Sequence, residues 1–153
     1  MELERYALYK DPDNFEYEFY SEGPEGRIRK IVRFQYLKDL GHQTFNLAFG
    51  DWNEATQSLD DQATSNNNDR TKVLATVANA FIDFIEFHPN AIVLAQGSSI
   101  TRTRLYQMEI SANWLTISIN FEVYGNLNGD WQPFKKGINY KAFLIFKKRT
   151  KFE

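Results

Sequence analysis

The chain has 153 residues, of which 42% are hydrophobic and 16% aromatic, and its formal net charge is −2. This length suits one hydrophobic core, so we expect residues 1–153 to form a single domain. The absence of cysteine excludes disulfide frameworks and thiolate chemistry and fits a cytoplasmic protein. No stretch approaches the roughly 20 apolar residues of a membrane span, and the first residues lack a signal-peptide pattern. We therefore expect neither export nor a membrane partner.

The first predicted element is a β-hairpin over residues 15–36. Aromatic and acidic residues alternate over 15–21, the Gly23–Gly26 segment supplies turn residues, and alternation then resumes to residue 36. The turn predicts that Glu22 lies opposite Arg27 and that Glu16 lies opposite Arg33. These charges then occupy the outer face of the hairpin. The inner face is predicted to carry Phe15, Tyr17, Phe19, Ile28, Val32, Phe34 and Tyr36.

A third strand is predicted over residues 44–49, ending at Gly50 and Asp51. Residues 51–67 contain almost no apolar side chains and predict a polar loop. Asn68 or Asp69 then caps a helix that runs to about Phe87 and ends before a proline. The inward residues are predicted to be Phe45, Leu47 and Phe49 on the strand and Leu74, Val77, Ala78, Phe81, Phe84 and Ile85 on the helix.

The second half of the chain begins with a short apolar strand over residues 91–95, followed by a glycine turn and a second helix. This helix is predicted to run to about Asn120 and to give way to a strand after Phe121. Residues 125–137 are rich in turn residues, and 139–148 predict a final strand. The helix stripe is predicted to be Thr101, Leu105, Met108, Ala112, Leu115 and Ile119, and the last strand to place Tyr140, Ala142, Leu144 and Phe146 on one side. The predicted order β-β-β-α-β-α-β-β indicates an α+β domain with a mostly antiparallel sheet and two main helices.

Four segments can be considered together: Ser21–Gly26 (SEGPEG), Asn46–Asp51 (NLAFGD), Lys72–Val77 (KVLATV) and Gly97–Tyr106 (GSSITRTRLY). With these segments the chain resembles a family of small bacterial single-domain proteins of unknown function, and the likeness spans nearly the whole sequence. Where members of that family usually have Gly-Ser-Thr, this chain has Gly97-Ser98-Ser99. The resemblance implies no activity and no catalytic residue.

The turn after the apolar strand is the most suggestive segment for function. Gly97, Ser98 and Ser99 lead directly into a helix that carries Arg102 and Arg104. Unpaired N–H groups and the helix dipole attract anions at such a turn, and a hydroxyl or an arginine adds charge-assisted hydrogen bonds. A serine that simply caps its own helix is the alternative interpretation, because the segment lacks the spacing of a P-loop or a dinucleotide fingerprint.

Tyr106 extends this candidate site along the helix. It follows Arg102 by four residues and shares a predicted helix face with Glu109 and Asn113. This face could contact a polar ligand, or a stacking contact between Arg102 and Tyr106 could be purely structural. The predicted ligand-binding residues are therefore Gly97, Ser98, Ser99, Arg102, Arg104 and Tyr106.

Acidic residues near the polar loop offer a second kind of site. Asp51, Asp60 and Asp61 could hold a divalent ion if at least two carboxylates converge, although acids in loops are usually solvated. The two histidines, His42 and His88, have no partner at a catalytic or metal-binding spacing and are predicted to be structural. No cofactor is predicted.

The charges are unevenly distributed along the chain. Residues 1–26 contain eight acids and two bases, whereas residues 131–153 contain seven bases and one acid. The basic end, with Lys147, Lys148, Arg149 and Lys151, could contact nucleic acid, but lysines at a strand end also prevent edge pairing.

Three hypotheses about function follow from the sequence. The first is a noncatalytic binding domain that recognises an anionic partner, a phosphate-bearing ligand or nucleic acid, at Gly97–Arg104. The second is a metal-dependent phosphodiesterase-type enzyme that uses Asp51, Asp60 and Asp61. The third is a protein-interaction module or homodimer.

Overall fold

The structure is a computed structural model that describes residues 4–11, 15–40, 43–61 and 66–149. In these ranges the chain forms nine β-strands, three α-helices and one short 3-10 helix. The strands are β1 (Tyr9–Asp11), β2 (Glu16–Gly23), β3 (Gly26–Tyr36), β4 (Thr44–Asn53), β5 (Ser58–Asp60), β6 (Ile92–Ala95), β7 (Phe121–Leu127), β8 (Asp130–Pro133) and β9 (Phe143–Lys147). The helices are α1 (Arg70–Phe87), α2 (Ile100–Ala112) and α3 (Trp114–Asn120), and the 3-10 helix is Lys38–Leu40.

The fold class is α+β with mostly antiparallel strand pairing, as the sequence predicts. One pair is parallel, formed by the start of β4 and by β6. The element order differs in detail from the prediction, because β1, β5 and β8 are additional strands and the second helix is divided at Asn113. No helix in the described ranges has both the length and the apolar character that crossing a membrane requires.

The contacts within the chain group it into two compact units. The first unit comprises the described residues up to Gln35 and those of Ala48–Glu86. The second comprises those of Tyr36–Leu47 and those from Phe87 onward. The expectation of one domain over 1–153 stays a prediction. His42 and Lys151 lie outside the described residues.

The first unit contains the predicted hairpin with the predicted register. Glu22 pairs with Arg27 and Glu16 pairs with Arg33 across β2 and β3. The Glu16 carboxylate lies 2.6 Å from Arg33 Nε, so this outer pair is a hydrogen-bonded ion pair. Tyr17 is buried on the opposite face, as are Phe19, Val32 and Phe34. The prediction that the glutamates and the aromatic residues occupy opposite faces is confirmed, whereas Tyr36 is exposed and not inward.

Helix α1 packs on the inner face of this hairpin. The Phe84 ring stacks on the Phe34 ring with centroids 4.1 Å apart. Val77, Phe84 and Ile85 are buried as predicted, but Leu74, Ala78 and Phe81 are only half-buried. The buried face is rotated toward Thr76, whose hydroxyl donates to the Lys72 carbonyl and accepts from the Tyr6 amide. These bonds satisfy a polar side chain in the core, so hydrophobicity alone gave the wrong face. Val73, Ala75, Thr76 and Ala80 complete the buried set.

Strand β4 is longer than the sequence predicts. Phe45, Leu47 and Phe49 are buried as expected, but the strand continues to Asn53. Its last three residues pair with β5, and Asp51 lies opposite Asp60. Part of the predicted polar loop is therefore a β-hairpin, which the low apolar content of residues 51–60 does not reveal.

In the second unit the strands lie in the order β4-β6-β9-β7-β8. Ala91, Val93 and Ala95 are buried, as expected of a central strand. Asn128 and Gly129 form the turn between β7 and β8 with φ values of 54° and 92°, a two-residue hairpin connection. The last strand begins at Phe143, later than predicted.

Helix α2 exposes the stripe that its sequence predicts to be buried. Met108 is 60% exposed and, in α3, Leu115 is 82% and Ile119 is 69% exposed. The buried residues are Thr103, Tyr106, Gln107 and Ile110. The helical conformation up to Asn120 and the strand from Phe121 are as predicted, with a one-residue interruption at Asn113.

Candidate functional site

The candidate site begins where the chain leaves β6. The Gly97 amide donates to Thr103 Oγ1 over 3.0 Å, and this hydroxyl donates to the Ser99 carbonyl over 3.1 Å. A Cβ atom on Gly97 would lie 2.6 Å from Arg102 Cβ and 2.6 Å from the Thr103 nitrogen. Gly97 is therefore required because the turn packs directly on the first turn of α2. Thr103 ties the two together, and the sequence reasoning did not identify it.

Ser99 is the N-cap of α2. Its backbone is extended, with φ −142° and ψ 163°, and its Oγ accepts a hydrogen bond from the Arg102 amide over 3.2 Å. The Thr103 amide donates to the Ser99 carbonyl and begins the helical hydrogen-bond pattern. The predicted tight turn with a serine cap is confirmed. Ser98 is exposed and precedes the cap.

The predicted ligand-binding residues do not all converge on the turn. Arg102 is half-buried in the first turn of α2, next to the cap. Arg104 donates from Nη1 to the Tyr140 carbonyl over 3.3 Å. Tyr106 is 7% exposed and belongs to the buried face of the helix. The turn therefore gathers Gly97, Ser98, Ser99 and Arg102.

The far end of the predicted polar stripe is closed by an internal contact. Asn113 Nδ2 donates to the Glu109 carbonyl over 2.9 Å and to Glu109 Oε1 over 3.0 Å. Because the amide already satisfies one carboxylate oxygen, this contact accounts for both side chains without a ligand. It stabilises the last turn of α2.

Gln107 fixes the rotation of α2 about its axis. Its Nε2 donates to the Ile138 carbonyl over 2.8 Å, and its Oε1 accepts from the Tyr140 amide over 3.1 Å. The side chain is buried with these backbone partners satisfied. It thereby holds the polar side of the helix inward. No pattern in the sequence identifies its partners, which lie more than thirty residues further along the chain.

The acidic residues of the first unit are engaged with other side chains. Asp51 Oδ1 lies 2.5 Å from Lys30 Nζ, and this lysine is buried. Asp69 Oδ2 accepts from the Tyr6 hydroxyl over 2.6 Å and from the Ser21 hydroxyl over 2.5 Å. Across residues 4–11, 15–40, 43–61 and 66–149, no group of three or more histidine, aspartate or glutamate side chains is placed to hold a metal ion.

The groups with shifted pKa values lie in the first unit. Burial, and then the hydrogen bond to Asp83, raises the pKa of Tyr17. Burial would raise the pKa of Glu18, but hydrogen bonds from Tyr20 and Arg29 outweigh it and lower that pKa. These groups belong to a structural ion-pair network, because Arg29 also contacts Glu54 over 3.3 Å.

An open polar cleft of about 650 Å³ lies at the start of α1. Arg70 and Lys72 line it together with acidic and amide side chains, so its wall carries both signs of charge. The lining residues are Glu4, Asn66, Asn68, Asp69, Arg70, Thr71 and Lys72. The mixed charge gives this cleft no clear preference for an anion or a cation.

A family of unknown function, DUF6934, matches residues 2–148. The chain belongs to this family. The resemblance to a family of unknown function is thus confirmed, and DUF6934 membership brings no activity to the turn at Gly97. No curated protein matches the chain, and no solved structure does.

Proposed function

We propose that this DUF6934 protein is a noncatalytic binding domain that recognises the phosphate group of an anionic partner at the turn Gly97–Arg104. The observation that carries the proposal is the electrostatic character of this helix start. Helix α2 has 13 residues and carries no acidic residue in its first turn, while Arg102 lies there. The positive end of the helix dipole is therefore not neutralised by a carboxylate of that turn.

Backbone donors support the same site. The Ser99 hydroxyl accepts from the Arg102 amide, so the cap satisfies one of the first N–H groups of α2. The amides of Ile100 and Thr101 have no acceptor within the helix, because the helical pattern begins with the Thr103 amide. Both residues are exposed, so phosphate oxygens can approach their N–H groups.

The position in the sheet also supports a binding site. Strands β4 and β6 are parallel, and the turn leaves the carboxyl end of β6. Ligands of open α/β sheets bind outside the carboxyl ends of parallel strands, where loops and helix starts are close together. Gly97 brings the chain within van der Waals distance of α2 at this edge.

Arg102 is the side chain expected to contribute most to affinity. A hydrogen bond between a guanidinium and a phosphate is charge-assisted and contributes about 1.5–3 kcal/mol. Removing it should weaken binding about tenfold or more. Arg70 provides a matched control, because it is also an arginine in the first turn of a helix.

The experiment is a titration of the wild-type protein, Arg102→Ala and Arg70→Ala with inorganic phosphate, a nucleotide and a short oligonucleotide. We expect wild type and Arg70→Ala to bind alike and Arg102→Ala to bind more weakly. A steep loss of affinity between low and moderate salt for the oligonucleotide alone would assign nucleic acid as the partner. Equal binding by all three proteins, or no binding by any, would rule out the site.

A further inference from the structure

Helices α2 and α3 carry an apolar stripe on their solvent side. We call it the outer seam and define it as Thr101, Leu105, Met108, Ala112, Leu115 and Ile119. We propose that the outer seam packs against the outer seam of a second copy of this chain and forms a symmetric dimer. This surface is distinct from the Gly97 turn, and the proposal does not depend on anion binding.

The exposure of the seam is the first observation. Met108, Leu115 and Ile119 are each at least 60% exposed, and Leu105 is half-buried. Large apolar side chains that recur along one solvent-facing side of a helix mark an interaction surface, whereas single exposed ones do not. The neighbouring buried side consists largely of polar or amphipathic residues, so the helix is amphipathic with its most apolar side outward.

The spacing of the seam selects a helix as the occupant. Its residues follow one another at intervals of four, three, four, three and four. This is the spacing of the two apolar positions in a heptad, which interlock with the same spacing on a facing helix. A second copy of the chain presents such a helix with identical spacing.

The charges select a second copy of the chain over a differently charged protein. In a symmetric contact each residue meets residues of the same surface, so charged side chains at the centre would repel one another. No charged residue lies between Ile110 and Phe121. The seam from Ala112 to Ile119 can therefore face its own copy without repulsion of like charges.

The inner side of the helices is already occupied within the second unit. Gln107 binds the backbone at Ile138 and Tyr140, and the Trp114 ring lies 4.9 Å from the Phe134 ring. Because these contacts hold α2 and α3, substitutions on the outer seam should leave the fold intact.

The test compares the solution mass of the full chain with that of the double variant Leu115→Lys, Ile119→Lys over a range of concentrations. We expect a dimer for wild type and a dimer dissociation constant at least about tenfold higher for the double variant. Ile82→Lys is the matched control, because Ile82 is also an exposed helical isoleucine. Circular dichroism checks that all three proteins fold alike.

A cysteine cross-link locates the contact. The natural chain has no cysteine, so Ala112→Cys introduces a single thiol near the middle of the seam. Oxidation should link two copies through Ala112→Cys but not through Glu86→Cys, which places a thiol on exposed α1. A wild-type protein that stays monomeric overturns the proposal. So does a dimer that is equally stable in the double variant, or a thiol at position 112 that links no faster than the one at position 86.

Discussion

The Gly97 amide donates to the Thr103 hydroxyl, and this bond joins the end of a buried strand to the first turn of the helix that follows. The same hydroxyl donates to the Ser99 carbonyl, so one side chain serves both the turn and the cap. The turn is therefore preorganised by the chain itself. A phosphate would find the Ile100 and Thr101 amides already in position.

Gly97→Ala tests the close packing of this turn. The added methyl group would meet Arg102 Cβ and the Thr103 nitrogen at 2.6 Å, so backbone atoms must move. We expect the free energy of unfolding to fall by about 1–3 kcal/mol, measured by chemical denaturation. Gln96→Ala, at the exposed neighbour, is the control. Equal stability of Gly97→Ala and wild type would show that the turn is not packed as described.

Ser99 separates the structural role of the cap from anion binding. Ser99→Ala removes the acceptor of the Arg102 amide and should cost about 1 kcal/mol of stability, whereas Ser99→Asp should keep the cap. The aspartate would also repel an anion at the same helix start. We therefore expect Ser99→Asp to melt like wild type and to bind phosphate more weakly. Phosphate binding by Ser99→Asp as tight as that of wild type would contradict this assignment.

Asn67 holds the turn of the β2–β3 hairpin. Its Nδ2 donates to the Ser21 hydroxyl and to the Gly26 carbonyl, and its Oδ1 accepts from the Glu25 amide over 2.6 Å. The side chain lies in a residue that is 3% exposed, so Asn67→Ala leaves several polar groups without a partner. We expect a loss of about 2 kcal/mol or more in the free energy of unfolding. Asn66→Ala, at the exposed neighbour, should change it little, and comparable losses in both variants would refute the role of Asn67.

Glu18 predicts a specific dependence of stability on pH. Its pKa in the folded protein lies below the usual value of 4.5, because hydrogen bonds from Tyr20 and Arg29 outweigh burial. A carboxylate with a lowered folded pKa contributes stability above its unfolded pKa, and the contribution is lost as pH falls through the folded value. Urea denaturation below about pH 5 should thus show a smaller decline for Glu18→Gln than for wild type. Glu25→Gln, at an exposed turn position, should retain the wild-type decline.

The hairpin was predictable because its information is local. The turn between Gly23 and Gly26 fixes the register, and alternation then assigns Glu16 and Tyr17 to opposite faces. The Ser99 cap was predictable for the same reason, since a cap depends on residues within one helical turn.

The rotation of α2 was not predictable, because its cause is distant in the chain. Gln107 reaches the backbone at Ile138 and Tyr140, and these bonds turn a glutamine inward and leave Met108 outside. Hydrophobic periodicity instead favours Met108 as a core residue. For the same reason Tyr106 was assigned to a ligand that its buried position keeps it from reaching.

The most direct test of anion recognition is a nuclear magnetic resonance titration of the backbone amides with inorganic phosphate. The account predicts that the largest shifts occur at residues 97–104, above all at the Ile100 and Thr101 amides, and that they saturate. Repeating the titration with a short oligonucleotide then shows whether the same amides respond to a nucleic-acid phosphate. Saturating shifts confined to the cleft at Asn68–Lys72, or no shifts at residues 97–104 with either ligand, would contradict the account.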